Sequence, residues 1–220
     1  MSELLGNGAY SLSEAAKLTR LRIQRVREWF RGRADGTRRP VFASDYRDTC
    51  EENLISFLDL VEVFIAGQLR SRGVALQTIR KVYGTLQAEL DARHPFCRRE
   101  LFTFGKRIFT HGLDPAGRLE VTDVLTKQKA FPKVIQPFLR SLDYDSATAM
   151  ARRWRIAPKV VVNPEICFGQ PIVEAAGIPT GVLFRAFRAN SEKTESVADW
   201  YGISREDVIA AVEFERGHAA

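Results

Sequence analysis

The guanidinium groups are the side chains whose type and spacing could do chemistry here. Residues 11–30, SLSEAAKLTRLRIQRVREWF, set five basic side chains against two acidic ones. The stretch that follows, RGRADGTRRPVF, adds Arg31, Arg33, Arg38 and Arg39. A guanidinium donates paired hydrogen bonds to phosphate oxygens and to guanine edges, so this concentration is a candidate polyanion contact. Nothing comparable points to catalysis. There is no Gly-rich phosphate loop, no nucleophile beside a candidate base, and the acidic residues are spread out. An enzyme is therefore not expected, and no catalytic residue, metal or cofactor is nominated. His94, His111 and His218 are scattered through loops and the tail and are expected at the surface. Cys50, Cys97 and Cys167 are far apart and odd in number, which predicts free, buried thiols in a reduced, cytoplasmic protein.

The elements that must carry the arginines read as helix, turn, helix. Ser13 is the expected N-cap of the first helix, with a turn through Thr19, Arg20 and Leu21. In the second helix Ile23, Val26 and Phe30 share one face, flanked by Trp29. Arg22, Gln24, Arg25 and Glu28 then point outward, while Arg27 lies nearer the buried face. Small Ala16 suits a close crossing, and Val26, ten residues on, is the inward plug. That spacing is the helix-turn-helix pattern, whose second helix lies in the major groove. The rival is a solvated hairpin with wet arginines. The basic residues gather on the outward face, where a duplex would lie, and this favours nucleic acid.

Composition sets the frame. The 220 residues, 45% hydrophobic and 27% charged, suit a globular protein of one large or two small domains. The most apolar run, LISFLDLVEVFIAG, is broken by Asp59 and Glu62, so no membrane span or membrane partner is expected. Net charge is +6 and unevenly spread. Residues 1–40 hold nine Lys or Arg against four Asp or Glu, whereas residues 156–220 hold six against nine. A basic front and an acidic rear imply different partners for the two ends.

Further along, Ser56 and Asp59 have capping-box spacing, and Val74, Ile79, Val82, Leu86 and Leu90 mark another helix. RELFTFGKRIFTHG reads as a β-hairpin turning at Gly105-Lys106, RLEV as a further strand, and FPKVIQPFLRSL as short helical pieces limited by Pro132 and Pro137. MARRWRI reads as a strand alternating Met150, Arg152 and Trp154 against Ala151, Arg153 and Arg155. The rear opens with a strand at Val160–Val162, turns at Asn163-Pro164 and Gly169-Gln170-Pro171, and starts a helix near Gly181. Ala198, Gly202 and Val208 repeat the spacing of Ala16, Arg20 and Val26, and Ser204 and Asp207 cap the last helix. Its outward residues Arg205, Glu206, Asp207 and Ala210 include carboxylates that repel phosphate, so this second unit is expected to bind protein rather than DNA.

Residues 10–65 resemble the winged helix-turn-helix of the MerR family. Arg25-Val26-Arg27 stands where that family has a Thr-Leu-Arg run, and RGRADGTRRPVF resembles the wing. The chain departs from the pattern at Arg20, a position usually held by Gly, and at Arg22, usually Ser or Thr. Residues 155–215, with NPEICFGQPIV, then GIPT, then a Tyr-Gly turn, are similar to the small domain of unknown function found in VapB-type antitoxins. Here Ala175-Ala176-Gly177 replaces the usual Gly-Thr-Arg. The two resemblances together are similar to the larger antitoxins of the VapB type.

The expected fold is α+β, mainly helical. It comprises a winged helix-turn-helix domain at 1–90, a β-rich connecting region at 91–155, and at 156–220 a small strand plus a three-helix, helix-turn-helix-like domain. The resemblance implies an operator-binding antitoxin that autoregulates its operon as a homodimer and neutralises a PIN-domain ribonuclease toxin of the VapC type. DNA contacts fall to Arg22, Gln24, Arg25, Arg27, Arg31, Arg33, Arg38 and Arg39. A basic side chain that occludes the toxin's acidic site could be Arg152, Arg153, Arg155 or Arg216. Phe184 and Phe187, three apart on one helical stripe, either form the dimer patch or fill the rear core. The alternative function is a MerR-like transcriptional regulator with no toxin partner.

Overall fold

The computed structural model describes residues 6–33, 36–37, 39–47, 54–101 and 137–218. Ser11 opens the first helix. Its hydroxyl accepts the Glu14 amide at 3.1 Å, and the Glu14 carboxylate accepts the Ser11 amide at 2.8 Å. The cap is thus Ser11 and not the expected Ser13, because only Ser11 has an acidic residue three positions on to complete a capping box. Helix α1 (Leu12–Thr19) ends at Arg20, and α2 (Ile23–Arg31) follows. Val26 and Trp29 are buried on α2, each worth about 1.5–3 kcal/mol of hydrophobic burial. Trp29, expected at the edge of the apolar face, lies at its centre. Its carbonyl accepts the Val41 and Phe42 amides at 2.7 and 3.0 Å, and its ring meets Phe42 edge-on at 6.1 Å. The chain after α2 therefore folds back onto it, and the described residues of 32–47 contain no strand.

Strand β1 (Tyr10–Ser11) pairs antiparallel with β2 (Leu54–Ile55). The Ser56–Asp59 capping box forms as expected and starts α3 (Phe57–Ser71), which is buried along almost its whole length. Helix α4 (Leu76–Leu90) buries Ile79, Val82, Tyr83 and Leu86 against the same core. Gly67 sets how closely the α1–α2 turn can approach α3. A Cβ there would meet Leu21 Cδ1 at 2.9 Å, inside van der Waals contact.

His94 is buried, against the expectation of a surface residue. It lies just before a 3₁₀ turn at Pro95–Cys97, and three carboxylates surround its ring. Nε2 is 3.0 Å from Asp45 Oδ1, while Nδ1 is 3.4 Å from Glu62 Oε2 and 4.0 Å from Asp59 Oδ1. Burial pulls its pKa down, but hydrogen bonding and charge from Asp45 and Glu62 outweigh this and hold it up at about 10. Burial pushes Glu62 up to about 7. The cysteines also divide. Cys97 is buried as expected, whereas Cys167 is exposed on a tight turn with φ 49. His218 is half-buried, its ring stacked on Phe214 at 4.2 Å.

The second sheet is antiparallel throughout, in the order β3 (Leu142–Tyr144), β4 (Ala151–Ala157), β5 (Val160–Val162), β6 (Pro171–Val173) and β7 (Ile178–Pro179). Trp154 faces Leu142 and Ala151 faces Tyr144, which leaves Arg152 as the extra residue of a bulge. Strict alternation along MARRWRI is broken there, so Ala151 and Trp154, three apart, are both buried. Strand β4 also crosses the 155/156 division expected from sequence, because its pairing with β5 joins both sides in one sheet. Leu142, Trp154 and Val162 belong to the first core; Val173 belongs to the second, with α5 (Thr180–Ala189), α6 (Thr194–Tyr201) and α7 (Arg205–His218). Ile178 and Pro179, just before the helix that starts at Thr180, form an edge strand. The architecture is α+β, about half helical, with two antiparallel sheets. Among the described residues no helix is long and apolar enough to cross a membrane. The expected hairpin after Leu101, the RLEV strand, the first half of FPKVIQPFLRSL, Arg38, Cys50 and His111 lie outside the described residues.

Candidate nucleic-acid interface

Arg20 closes α1 in the left-handed conformation, φ 56 and ψ 36, and the Leu21 amide donates to the Ala16 carbonyl at 2.9 Å. Leu21 then docks on α3 and Val26 plugs the core, so the opposite face of α2 has to look outward. Arg22, Gln24, Arg25 and Arg27 are all exposed on it. Arg31, Arg33 and Arg39 are exposed at its far end and beyond.

The electrostatics of α2 are unbalanced. Its N-cap is Arg22, with no side-chain cap and no acidic residue in the first turn. The free amides and the positive end of the helix dipole are therefore uncompensated, which favours an anion there. Arg22 and Arg25 are three apart and Arg27 and Arg31 four apart, so each pair repels by a few tenths of a kcal/mol. Arg33 contacts Glu28 at 3.6 Å. Arg22, Arg25, Arg27 and Arg39 have no acidic group within 4.0 Å among the described residues.

The rear unit has the same backbone and the opposite chemistry. Gly202 adopts φ 63 and ψ 37 between α6 and α7, and the Ile203 amide donates to Ala198 at 3.0 Å. The first turn of α7 is filled from within the chain. Ser204 Oγ accepts the Asp207 amide at 3.2 Å, and Lys159 Nζ lies 2.9 Å from the Asp207 carboxylate. Hydrogen bonds from Ser204 and Lys159 hold that carboxyl below the usual range. Arg205 is paired with Glu195 at 3.1 Å.

The rear arginines nominated from sequence are also paired within the chain. Arg152 meets Glu165 at 3.2 Å, Arg155 meets Asp143 at 2.8 Å, and Arg153 bridges Asp143 and Glu174 at 2.6 and 2.9 Å. Arg216 meets Glu192 at 3.0 Å and lies over the Phe187 ring. Phe187 is buried in the second core, and Phe184 is half-buried against it. The most exposed large apolar group among the described residues is Trp200, at 72%, with Tyr201 and Ile209 also exposed. None of the three was nominated. The His94 cluster was missed as well. Its signal was Asp59 and Glu62, three apart inside the most apolar run of the chain.

Residues 160–214, from β5 into α7, match a family described as a protein of unknown function, DUF433. The span lies within residues 155–215, the stretch expected from sequence to resemble the small domain of VapB-type antitoxins. Over 226 residues, 93% of this chain and 92% of the relative, the sequence is 21% identical to a Mycobacterium tuberculosis (strain ATCC 25618 / H37Rv) protein provisionally named antitoxin VapB45. The X-ray crystal structure of Rv2018 from Mycobacterium tuberculosis shares the fold. It has a TM-score of 0.70 at 21% identity over 92% of this chain and 96% of that one.

Proposed function

We propose that this chain is a DNA-binding antitoxin of a type II toxin–antitoxin pair. In this reading the α1–α2 unit is a MerR-like winged helix-turn-helix with α2 in the major groove of its own operator. Arg22, Gln24, Arg25 and Arg27 face the groove, and Arg31, Arg33, Arg38 and Arg39 reach phosphates. The observation that carries the reading is the uncapped start of α2 beside three arginines with no acidic partner among the described residues. A basic helix N-terminus left uncompensated is suited to a polyanion. The distant relative's name supports a toxin partner. Residues 1–90 would read DNA, and the rear helices with their sheet would hold a homodimer and the toxin, a PIN-domain ribonuclease of the VapC type. The protein would act in the cytoplasm by binding alone, without catalysis.

The test is co-expression with the product of the adjacent gene, followed by affinity purification, light scattering and a gel shift on the upstream DNA. Co-elution in a complex containing two copies of this chain, with a salt-dependent shift, is expected. A protein that shifts the DNA but retains no partner would be a transcriptional regulator alone.

A further inference from the structure

Counted from the left-handed residue that ends each first helix, Arg20 in front and Gly202 behind, the two units compare position by position. Gln24, Arg25, Arg27 and Arg31 of the front unit have Glu206, Asp207, Ile209 and Glu213 as their counterparts in the rear one. The face that α2 offers to a polyanion thus recurs on α7 with its charge inverted and an isoleucine among the carboxylates. Asp207 is engaged by Lys159, which leaves Glu206, Ile209 and Glu213, at i, i+3 and i+7, as one exposed stripe. Residues 194–218 hold six Asp or Glu against two Arg, and Arg205 and Arg216 are paired with Glu195 and Glu192. Asp199, Glu206 and Glu213 have no basic group within 4.0 Å among the described residues, so the charge left over on this face is negative. The surface is also apolar. Trp200 is 72% exposed, Tyr201 38% and Ile209 42%. The two aromatic residues end α6 beside the Gly202 turn, and α6 packs along α7. Single apolar groups are ordinary on a surface, but an open Trp next to an open Tyr is the composition of an interface centre.

We propose that the outer face of α7, with Trp200 and Tyr201, docks on the positively charged RNA-binding surface of the toxin, an inference that rests on the antitoxin reading above. A ribonuclease gathers a polyanion, so the surface that receives its substrate carries positive potential. Carboxylates along a helix complement that potential as phosphates do, whereas nucleic acid repels them. Charge complementarity therefore selects a basic protein as the occupant and excludes DNA. Trp200, Tyr201 and Ile209 add apolar burial that a phosphate backbone does not offer, and Trp and Tyr are the residues that most often dominate binding energy. Arg152, Arg153 and Arg155, which are paired with Glu165, Asp143 and Glu174, are not required for this contact. The toxin is silenced by exclusion of its RNA.

The experiment titrates the full chain with the purified product of the adjacent gene at several salt concentrations, by calorimetry. Trp200→Ala with Ile209→Ala should weaken binding at least about tenfold and keep its salt dependence. Glu206→Gln with Glu213→Gln should weaken it at low salt and flatten that dependence, because screened charges no longer contribute. A non-cleavable RNA at many times its own dissociation constant should lower the apparent affinity of wild type. Circular dichroism verifies folding, and operator gel shifts of both double variants should match wild type. The proposal is overturned if both folded variants bind the toxin as tightly as wild type, or if RNA leaves the affinity unchanged; either result leaves the antitoxin reading intact. It falls together with that reading if wild type does not bind the product of the adjacent gene. It is also overturned if light scattering shows the variants breaking a dimer into monomers at unchanged toxin affinity, since the face would then join two copies of this chain.

Discussion

Arg20 and Gly202 close their helices in the same left-handed conformation, φ 56, ψ 36 and φ 63, ψ 37. Each follows a buried alanine by four residues and precedes a buried valine by six: Ala16 and Val26 in one unit, Ala198 and Val208 in the other. Only the rear unit has the residue that adopts this conformation without a Cβ clash. Arg20→Gly should therefore stabilise the protein by about 0.5–1 kcal/mol. Gly202→Ala should destabilise it by a similar amount. Thermal denaturation at neutral pH reads both, and a loss of stability in Arg20→Gly would contradict the strain argument.

Replacing Arg25 and Arg27 together by Ala should leave the fold intact, because Val26 and Trp29 still fill the core. Operator affinity should collapse, and the log–log salt slope should fall by roughly one unit for each phosphate that is no longer neutralised. Arg205→Ala on the rear unit is the control and should change little. Gel-shift titrations at several salt concentrations separate the two units. Stronger weakening from the rear substitution would reverse their assigned roles.

Gly67→Ala forces a methyl group to within 2.9 Å of Leu21 Cδ1. The expected cost is about 1–2 kcal/mol, since a packed helix and a tight turn must separate. Leu21→Ala in the same background should recover part of that loss. The coupling from a double-mutant cycle in urea tests the contact, and additive effects would rule it out.

Asp207 supplies an acid-sensitive contribution. Hydrogen bonds from Ser204 and Lys159 lower its folded pKa below the unfolded value, so its stabilisation is present above that value and lost as pH falls through the folded one. Asp207→Asn should then destabilise the protein at pH 7 and close the gap with wild type below about pH 4. Denaturant midpoints of both proteins across that range supply the measurement.

The sequence by itself determined the local devices. The Ser56–Asp59 box, the two alanine–turn–valine spacings, the outward arginines and the Val160–Val162 strand each follow from near neighbours, whose geometry a helix or strand period dictates. Contacts between distant segments were decided by the tertiary structure. Strand β4 could not be placed in the rear sheet from its own residues, because the Arg152 bulge depends on its partner β3. Phe187 turned inward because α7 lies over it, and Trp29 became central because Phe42 returns to meet it. His94 shows the reason most plainly. A lone histidine in a loop is read as wet, yet Asp45, forty-nine residues earlier, and Asp59 and Glu62 on α3 enclose it. Burial and charge pairing are properties of assembled surfaces, so no local pattern encodes them.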